Sequence, residues 1–507
     1  MRFHTPQILV ALLMLSGCRS VASAPSPAIA PPQDERTQAL FDMPWSDRSA
    51  FSAGLVESQQ SVLSGLAGAS VYHLALEVAP DLSTVDGAQE VLYTNTESEP
   101  LDRVALHLFP NLLGGEMTLS GVRIDGTDVE PAYSEGQGSI TIPLDAALAP
   151  GASIVIGVDF RVRVPQELEL NYGVLANASG VLAYAHGYPM VAVFDSKGWN
   201  LEVPPTYGDV TYADASFYLV RVRAPAELVL CGSGVEVARQ VHWDQQEVLL
   251  AVGPARDFYL AASRDYRITT KAFGPITLRS CSPDGTEARA QHTLEVAAHA
   301  LEIYGERYGD YPYTKLDVVT TPTYALGIEY PGAFALTDRL YTDPQDFGDQ
   351  PGESLLEWVT AHEAAHEWFY NLVGNDQIED PWLDEALAQF ATLQYARDRY
   401  GEDGAAGMRA SFYGRWDRVG REPIPIGMPV GAYDENSYSA IVYGRGPLFF
   451  EALEEELGEA QFDEFLHAYT AAFSWQEATP EDLQRMAEAQ CGCDLSPLFA
   501  EWVYAPP

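Results

Sequence analysis

Basic side chains are scarce in this 507-residue chain: 29 lysines and arginines stand against 72 aspartates and glutamates, a formal net charge of −43. A surface of that sign repels phosphate backbones and anionic headgroups, which argues against a nucleic-acid-binding role. The acidity itself reads as solubility. Cysteine is rare too, five residues in all. The C-G-C near the C terminus lacks the second ligand pair that a structural zinc site needs. No fixed-period repeat is visible, and after the N terminus no apolar run approaches the roughly eighteen residues of a membrane-spanning helix. What is present is a globular composition, 47% apolar and 20% charged, over a length that suits two or three domains.

The N terminus, "MRFHTPQILVALLMLSGC", places Arg2 before an apolar core from Ile8 to Leu15 and then small residues. That core is too short to span a bilayer and reads as an export signal. Leu15-Ser16-Gly17-Cys18 resembles the lipobox of bacterial lipoproteins, whose cysteine is acylated; a plain secretory signal is the alternative. The resemblance implies an exported protein, anchored to a membrane of the cell envelope through Cys18. The Ala-, Ser- and Pro-rich stretch after it suits a tether. Residues 1–18 are thus expected as signal and 19–66 as flexible linker. Cys231, Cys281, Cys491 and Cys493 are read as structural, with three possible pairings left open.

From 67 to 266 the apolar pattern alternates with period two. In "SIVIGVDFRVRV", Ile154, Ile156, Val158, Phe160, Val162 and Val164 share one face; "VYHLALEV" and "RVALHLF" repeat the habit between turns such as "VDGAQ". This predicts an antiparallel β-sheet domain. From 267 to 507 the pattern turns mixed and mostly helical, with "EARAQHTLEVAAHALEIYGERYG", a helical stretch from about Ser354, "WLDEALAQFATLQYARDRYG" and "GRGPLFFEALEEELG", the last closed by Gly458 as C-cap. The fold class is therefore multidomain α+β.

Chemistry concentrates in "VTAHEAAHEWFYNLVGNDQIEDPWLDEALAQF". On a helix, His362 and His366 lie one turn apart on one face and can converge on one point. Neutral imidazoles suit Zn²⁺, and a catalytic zinc takes three protein ligands and leaves the fourth position to water. Glu385 supplies the third ligand if its segment forms a second helix beside the first, with Trp382, Leu383, Leu387 and Phe390 toward the core. Glu363, about 100° around from His362, is placed as general base for a water that the metal acidifies. H-E-x-x-H arises by chance in roughly one or two per hundred chains of such composition; the glutamate at the right offset makes coincidence a poor explanation.

H-E-x-x-H, eighteen residues, then E resembles the ligand pattern of the gluzincin aminopeptidases, the membrane alanine aminopeptidase and leukotriene hydrolase family. Trp368, Asn371, Trp382 and the Leu-Asp-Glu segment sit where that family has equivalents, whereas Asp384, Ala386 and Leu387 depart from its usual Leu-Asn-Glu-Gly-Phe. "ALGIEYPGAF" occupies the place of the family's Gly-x-Met-Glu-Asn motif on a strand edge; the resemblance gives Glu329, with Gly327, the role of binding the substrate's α-amine. "YSAIVYGRGPLFFEAL" resembles the segment whose tyrosine steadies the oxyanion, which points to Tyr443, with Tyr438 as rival. The resemblance implies a saddle-like N-terminal sheet domain, a thermolysin-like catalytic domain, one Zn²⁺, peptide substrates, and a short form without the helical domain that many relatives carry, hence a more open cleft. Asp380 and Asp384 are candidates for orienting the histidines. An open-cleft endopeptidase or other metallohydrolase is one alternative; a non-enzymatic lipoprotein that keeps the fold as a binding module is the other. The sequence leaves the oligomeric state, the biological substrate and the preferred N-terminal residue open.

Overall fold

The computed structural model describes residues 39–168, 170–342 and 351–504. The signal, the lipobox with Cys18 and the start of the tether lie outside the described residues. The rest of the expected linker is folded. Residues Ser49–Gly54, Glu57–Gln59 and Val62–Gly65 form short helical turns, and Leu40, Phe41, Phe51, Leu55 and Val56 are buried. Val56 N–H donates to Pro312 O and Thr314 N–H to Gly54 O. The apolar residues of this segment, diluted among small polar ones, hide the packing from a composition reading.

The period-two segments become strands as expected. The main sheet has eight strands in the order Val235–His242, Gln245–Ala255, Ser216–Pro225, Val71–Val78, Thr84–Thr94, Ser153–Arg163, Glu116–Ile124 and Thr127–Asp128. Ile154, Ile156, Val158, Phe160 and Val162 turn inward along Ser153–Arg163. The expectation of an antiparallel sheet needs one correction: Val71–Val78 pairs parallel with Ser216–Pro225. Period-two burial fixes which side chains face the core but not the direction of the neighbouring strand.

At Tyr266 the chain enters a separate sheet of five strands, ordered Tyr266–Phe273, Ile276–Pro283, Lys315–Thr321, Ala333–Thr337 and Gly327–Tyr330. Cys231 of the first domain is bonded to Cys281 in this sheet, and Cys491 to Cys493, which settles the pairing. Against the sheet pack α1 (Glu287–Tyr308), α2 (Gly352–Ala365), α3 (Trp382–Trp416) and α4 (Gly446–Leu457). Trp382, Leu383, Leu387 and Phe390 are all buried. α3 is kinked at Gly401, whose φ of 64° and ψ of −160° no helical residue adopts, and its second arm runs on to Trp416. Arg256 joins the two domains. Fully buried, it donates to the carbonyls of Ala213, Asn371 and Gln476 and pairs with Glu477. Among the described residues no helix is long and apolar enough to cross a membrane.

Candidate metal centre and cleft

Three ligand atoms converge. His362 Nε2 lies 3.2 Å from His366 Nε2 and 3.2 Å from Glu385 Oε2, and His366 Nε2 lies 3.6 Å from the same oxygen. Bonds of 2.0–2.1 Å in a tetrahedron put neighbouring ligands about 3.3 Å apart, so the triangle has the size that a zinc ion requires. Glu385 Oε2 is buried without a hydrogen-bond donor, and Glu363 Oε2 likewise; such atoms are costly unless a cation or substrate meets them. His366 Nδ1 pairs with the Phe369 carbonyl at 2.9 Å, which leaves Nε2 to face the centre.

The two histidines are one turn apart as expected, but α2 ends at Ala365 and His366 is its C-cap residue. Neither Asp380 nor Asp384 hydrogen-bonds a histidine among the described residues; the Phe369 carbonyl orients His366, and His362 Nδ1 is buried without a partner. Asp384 instead holds the start of α3: it accepts from the Glu385 N–H at 2.9 Å and from Asn375 Nδ2 at 3.2 Å. Burial and the neighbouring Glu385 push its carboxyl up to about 7.

Glu363, four per cent exposed, points beside the triangle. Burial raises its carboxyl well above the usual range, and the charges of Glu329 and Glu385 add to that while His366 opposes. Gly327 was expected to border the substrate; the structure gives it a different first duty, since a Cβ there would stand 2.2 Å from Glu363 Oε1. Glu329 sits two residues along the same edge strand. Its Oε1 accepts from Gln377 Nε2 at 2.9 Å, and that amide also donates to Asp384 Oδ2 at 2.7 Å. Burial raises Glu329 too, with Glu385 adding to the effect.

The tyrosine segment resolves into a helix, Glu435–Ala440, a π-helical turn, Ile441–Arg445, and α4. The wide turn delivers Tyr443, whose hydroxyl donates to Glu385 Oε1. Burial and the Glu385 charge push this phenol well above 10, so it stays protonated and able to donate. Tyr438 lines the same cleft, its ring 5.8 Å from that of Tyr443, with its hydroxyl buried and unpartnered. Both tyrosines are therefore at the site, and Tyr443 is the one that reaches the ligands.

The cleft in front of these groups has a volume of about 320 Å³, the size of a small-ligand site. Three of its lining residues come from the first domain, Tyr172, Gly208 and Asp209. Burial and the charges of Glu329, Glu385 and Asp384 hold the Asp209 carboxyl well above the usual range. Gln377, Asp209 and Arg415, which also lines the cleft, escape a reading of the sequence. They lie on loops or on a helix arm with no motif around them, and only the packing of the domains brings them in.

Residues 292–502 match the model of the peptidase family M1 domain. Among curated relatives, the chain is 23% identical over 464 residues to aminopeptidase 2 of Candida albicans, covering 89% of this chain and 48% of that protein. It is 25% identical over 241 residues to leucyl aminopeptidase of Saccharolobus solfataricus, covering 44% of this chain and 29% of the relative. The chain spans about half the length, or less, of the curated relatives it matches. Among solved structures, an M1 zinc metallopeptidase mutant of Deinococcus radiodurans bound to a Tyr-Ser-Ala substrate superposes with a TM-score of 0.64 at 22% identity, covering 87% of this chain and 95% of that one. That likeness shows a shared two-domain fold. The segment 292–502 that matches the peptidase family M1 domain is the one in which H-E-x-x-H and its distant glutamate are drawn into one triangle.

Proposed function

We propose that the protein is a zinc-dependent aminopeptidase. The observation that carries this reading is the Nε2, Nε2, Oε2 triangle of His362, His366 and Glu385 with two further carboxylates beside it, Glu363 and Glu329, each placed differently. His362, His366 and Glu385 would hold a zinc ion, which would supply Lewis-acid polarisation of the scissile carbonyl and a lowered pKa for the attacking water. Glu363 takes the proton of that water and passes it to the departing amine. Tyr443 gives up Glu385 and donates its O–H to the oxygen that gains charge. Glu329, fixed by Gln377, receives the cationic α-amine, so the register of the substrate is set one residue before the cut bond. Asp209, from the first domain, lines the cleft on that side.

The test is a panel of aminoacyl p-nitroanilides and short peptides, each with a free and an acetylated α-amine. Free amines are expected to be cleaved at least about a hundredfold faster, the scale of a lost charge-assisted contact. In Glu329→Gln that ratio should fall to within about tenfold. Equal cleavage of blocked peptides by the wild type would favour an endopeptidase instead, and absence of cleavage would favour the binding module.

The N terminus supports a second part of the reading, an exported lipoprotein. The apolar core Ile8 to Leu15 followed by Leu15-Ser16-Gly17-Cys18 is its basis. Cys18→Ser is expected to move the protein from the membrane to the soluble fraction of cells, and a variant that stays with the membrane would refute the anchor.

A further inference from the structure

Arg415 lies on the second arm of α3, where Met408, Ser411 and Arg415, spaced three and four residues apart, present one face to the cleft. Two other arginines of this domain have several partners each. Arg307 pairs with Asp398 and Asp463, and Arg445 donates to the carbonyls of Ile424, Glu501 and Trp502. Arg415 is half-buried, and its one hydrogen bond among the described residues runs from Nη1 to Ser439 Oγ at 3.2 Å. No carboxylate of the described residues pairs with it, in a chain where acidic side chains outnumber basic ones 72 to 29. A guanidinium carries five donors in a planar fork that matches a carboxylate. Here most of that fork is left to the cleft.

Its position relative to the chemistry is defined. The guanidinium carbon stands 5.7 Å from the centre of the Tyr443 ring, and Tyr443 hydrogen-bonds the ligand Glu385. At the other end of the ligand set, Glu329 and Asp384 bring carboxylate oxygens within 4.8 Å of a His366 ring nitrogen. A peptide whose amine rests on Glu329 and whose first peptide bond lies over the triangle is thus directed past Tyr443 toward Arg415. An extended chain advances about 3.3–3.6 Å per residue, so the stretch from Tyr443 to Arg415 holds one or two residues.

We propose that Arg415 binds the C-terminal carboxylate of the substrate, so that the cleft selects di- and tripeptides with a free C terminus. The proposal rests on the aminopeptidase reading and specifies its substrate class. It gives the site two opposite charged ends, carboxylates for the amine and a guanidinium for the carboxylate, with the metal ligands between them. Arg415 also lies over the Tyr443 ring, so a role confined to positioning that phenol is the competing account; it would affect every substrate alike.

The experiment compares kcat/KM for Ala-Ala and Ala-Ala-Ala with their C-terminal amides, alongside Ala-Asp amide and Ala p-nitroanilide, in wild type, Arg415→Gln and Arg415→Lys. The wild type is expected to prefer acids over amides by roughly tenfold to a hundredfold. That ratio should fall to within about twofold in Arg415→Gln and be partly kept in Arg415→Lys, with the change carried mainly by KM. Equal wild-type rates on acid and amide would overturn the proposal, as would a preference that survives in Arg415→Gln. A uniform loss on all substrates with the ratio intact would assign Arg415 to Tyr443 and also overturn it. Ala-Asp amide cleaved as fast as Ala-Ala would make an acidic side chain the ligand in place of the terminus. Failure of the wild type to cleave even Ala p-nitroanilide is a different result: it removes the aminopeptidase reading, and this inference with it.

Discussion

Glu363→Gln is expected to keep one zinc ion per chain and to lower kcat by a factor on the order of 10³–10⁴, the range of a lost general base. The substitution is nearly isosteric, and Glu363 Oε2 has no hydrogen-bond partner to lose. Burial together with the charges of Glu329 and Glu385 already disfavours a carboxylate there. A neutral amide relieves that repulsion, so the melting temperature should stay the same or rise. The amide cannot accept the proton of the attacking water, and the loss falls on turnover. His366→Ala should fail differently: it opens the triangle of 3.2 and 3.6 Å contacts, and both the metal and the activity go. Metal content by atomic emission and kcat on a free-amine substrate separate the two. A Glu363→Gln protein that turns over within tenfold of wild type would take the base role away from this residue; one that has lost its zinc would make it a ligand instead.

How much of this could be read in the residues alone depends on what kind of constraint each part obeys. The cluster of His362, His366 and Glu385 that the structure brings together was legible because a tetrahedral ion would fix both residue type and spacing: two histidines one helical turn apart, and a glutamate following on an apolar helix. The strands from 71 to 163 were legible from period two. What needed three dimensions was set by neighbours remote in sequence. Asp209, in "TYGDVTYAD", looks like any turn aspartate until the first domain packs it beside Glu329 and Glu385. Gln377 lies on the loop between α2 and α3, and its use as a clamp on both Glu329 and Asp384 depends on where that loop meets the sheet edge. Tyr443 and Tyr438 are five residues apart, and an ideal helix leaves the choice between them open; the π-helical turn sends the first to Glu385. The expected tether failed from residue 39 onward because Leu40, Phe51 and Leu55 are buried by partners far along the chain, among them Tyr313, which bridges to Leu55.

Gly327→Ala is expected to lower kcat by about a hundredfold to a thousandfold while removing no functional group. A Cβ at this position would lie 2.2 Å from Glu363 Oε1, 2.5 Å from its Cδ and 2.6 Å from its Cγ. All three contacts belong to one side chain, and α2 holds its backbone in the core of the domain. The edge strand is equally fixed, paired with Ala333–Thr337 from Gly327 to Tyr330. The cheapest escape is rotation of the Glu363 side chain, which carries the carboxylate off its line to the metal triangle; misplacement by about an ångström is enough to cost catalysis on this scale. The backbone of residue 327 is ordinary extended strand, so alanine brings no conformational strain of its own. The ligand triangle is untouched and zinc should remain. The double variant gives the sharper reading: Gly327→Ala on a Glu363→Gln background should cost little more than Glu363→Gln alone, because the group it displaces has already lost its function. Additive losses would show that Gly327 acts on the substrate directly and not through Glu363.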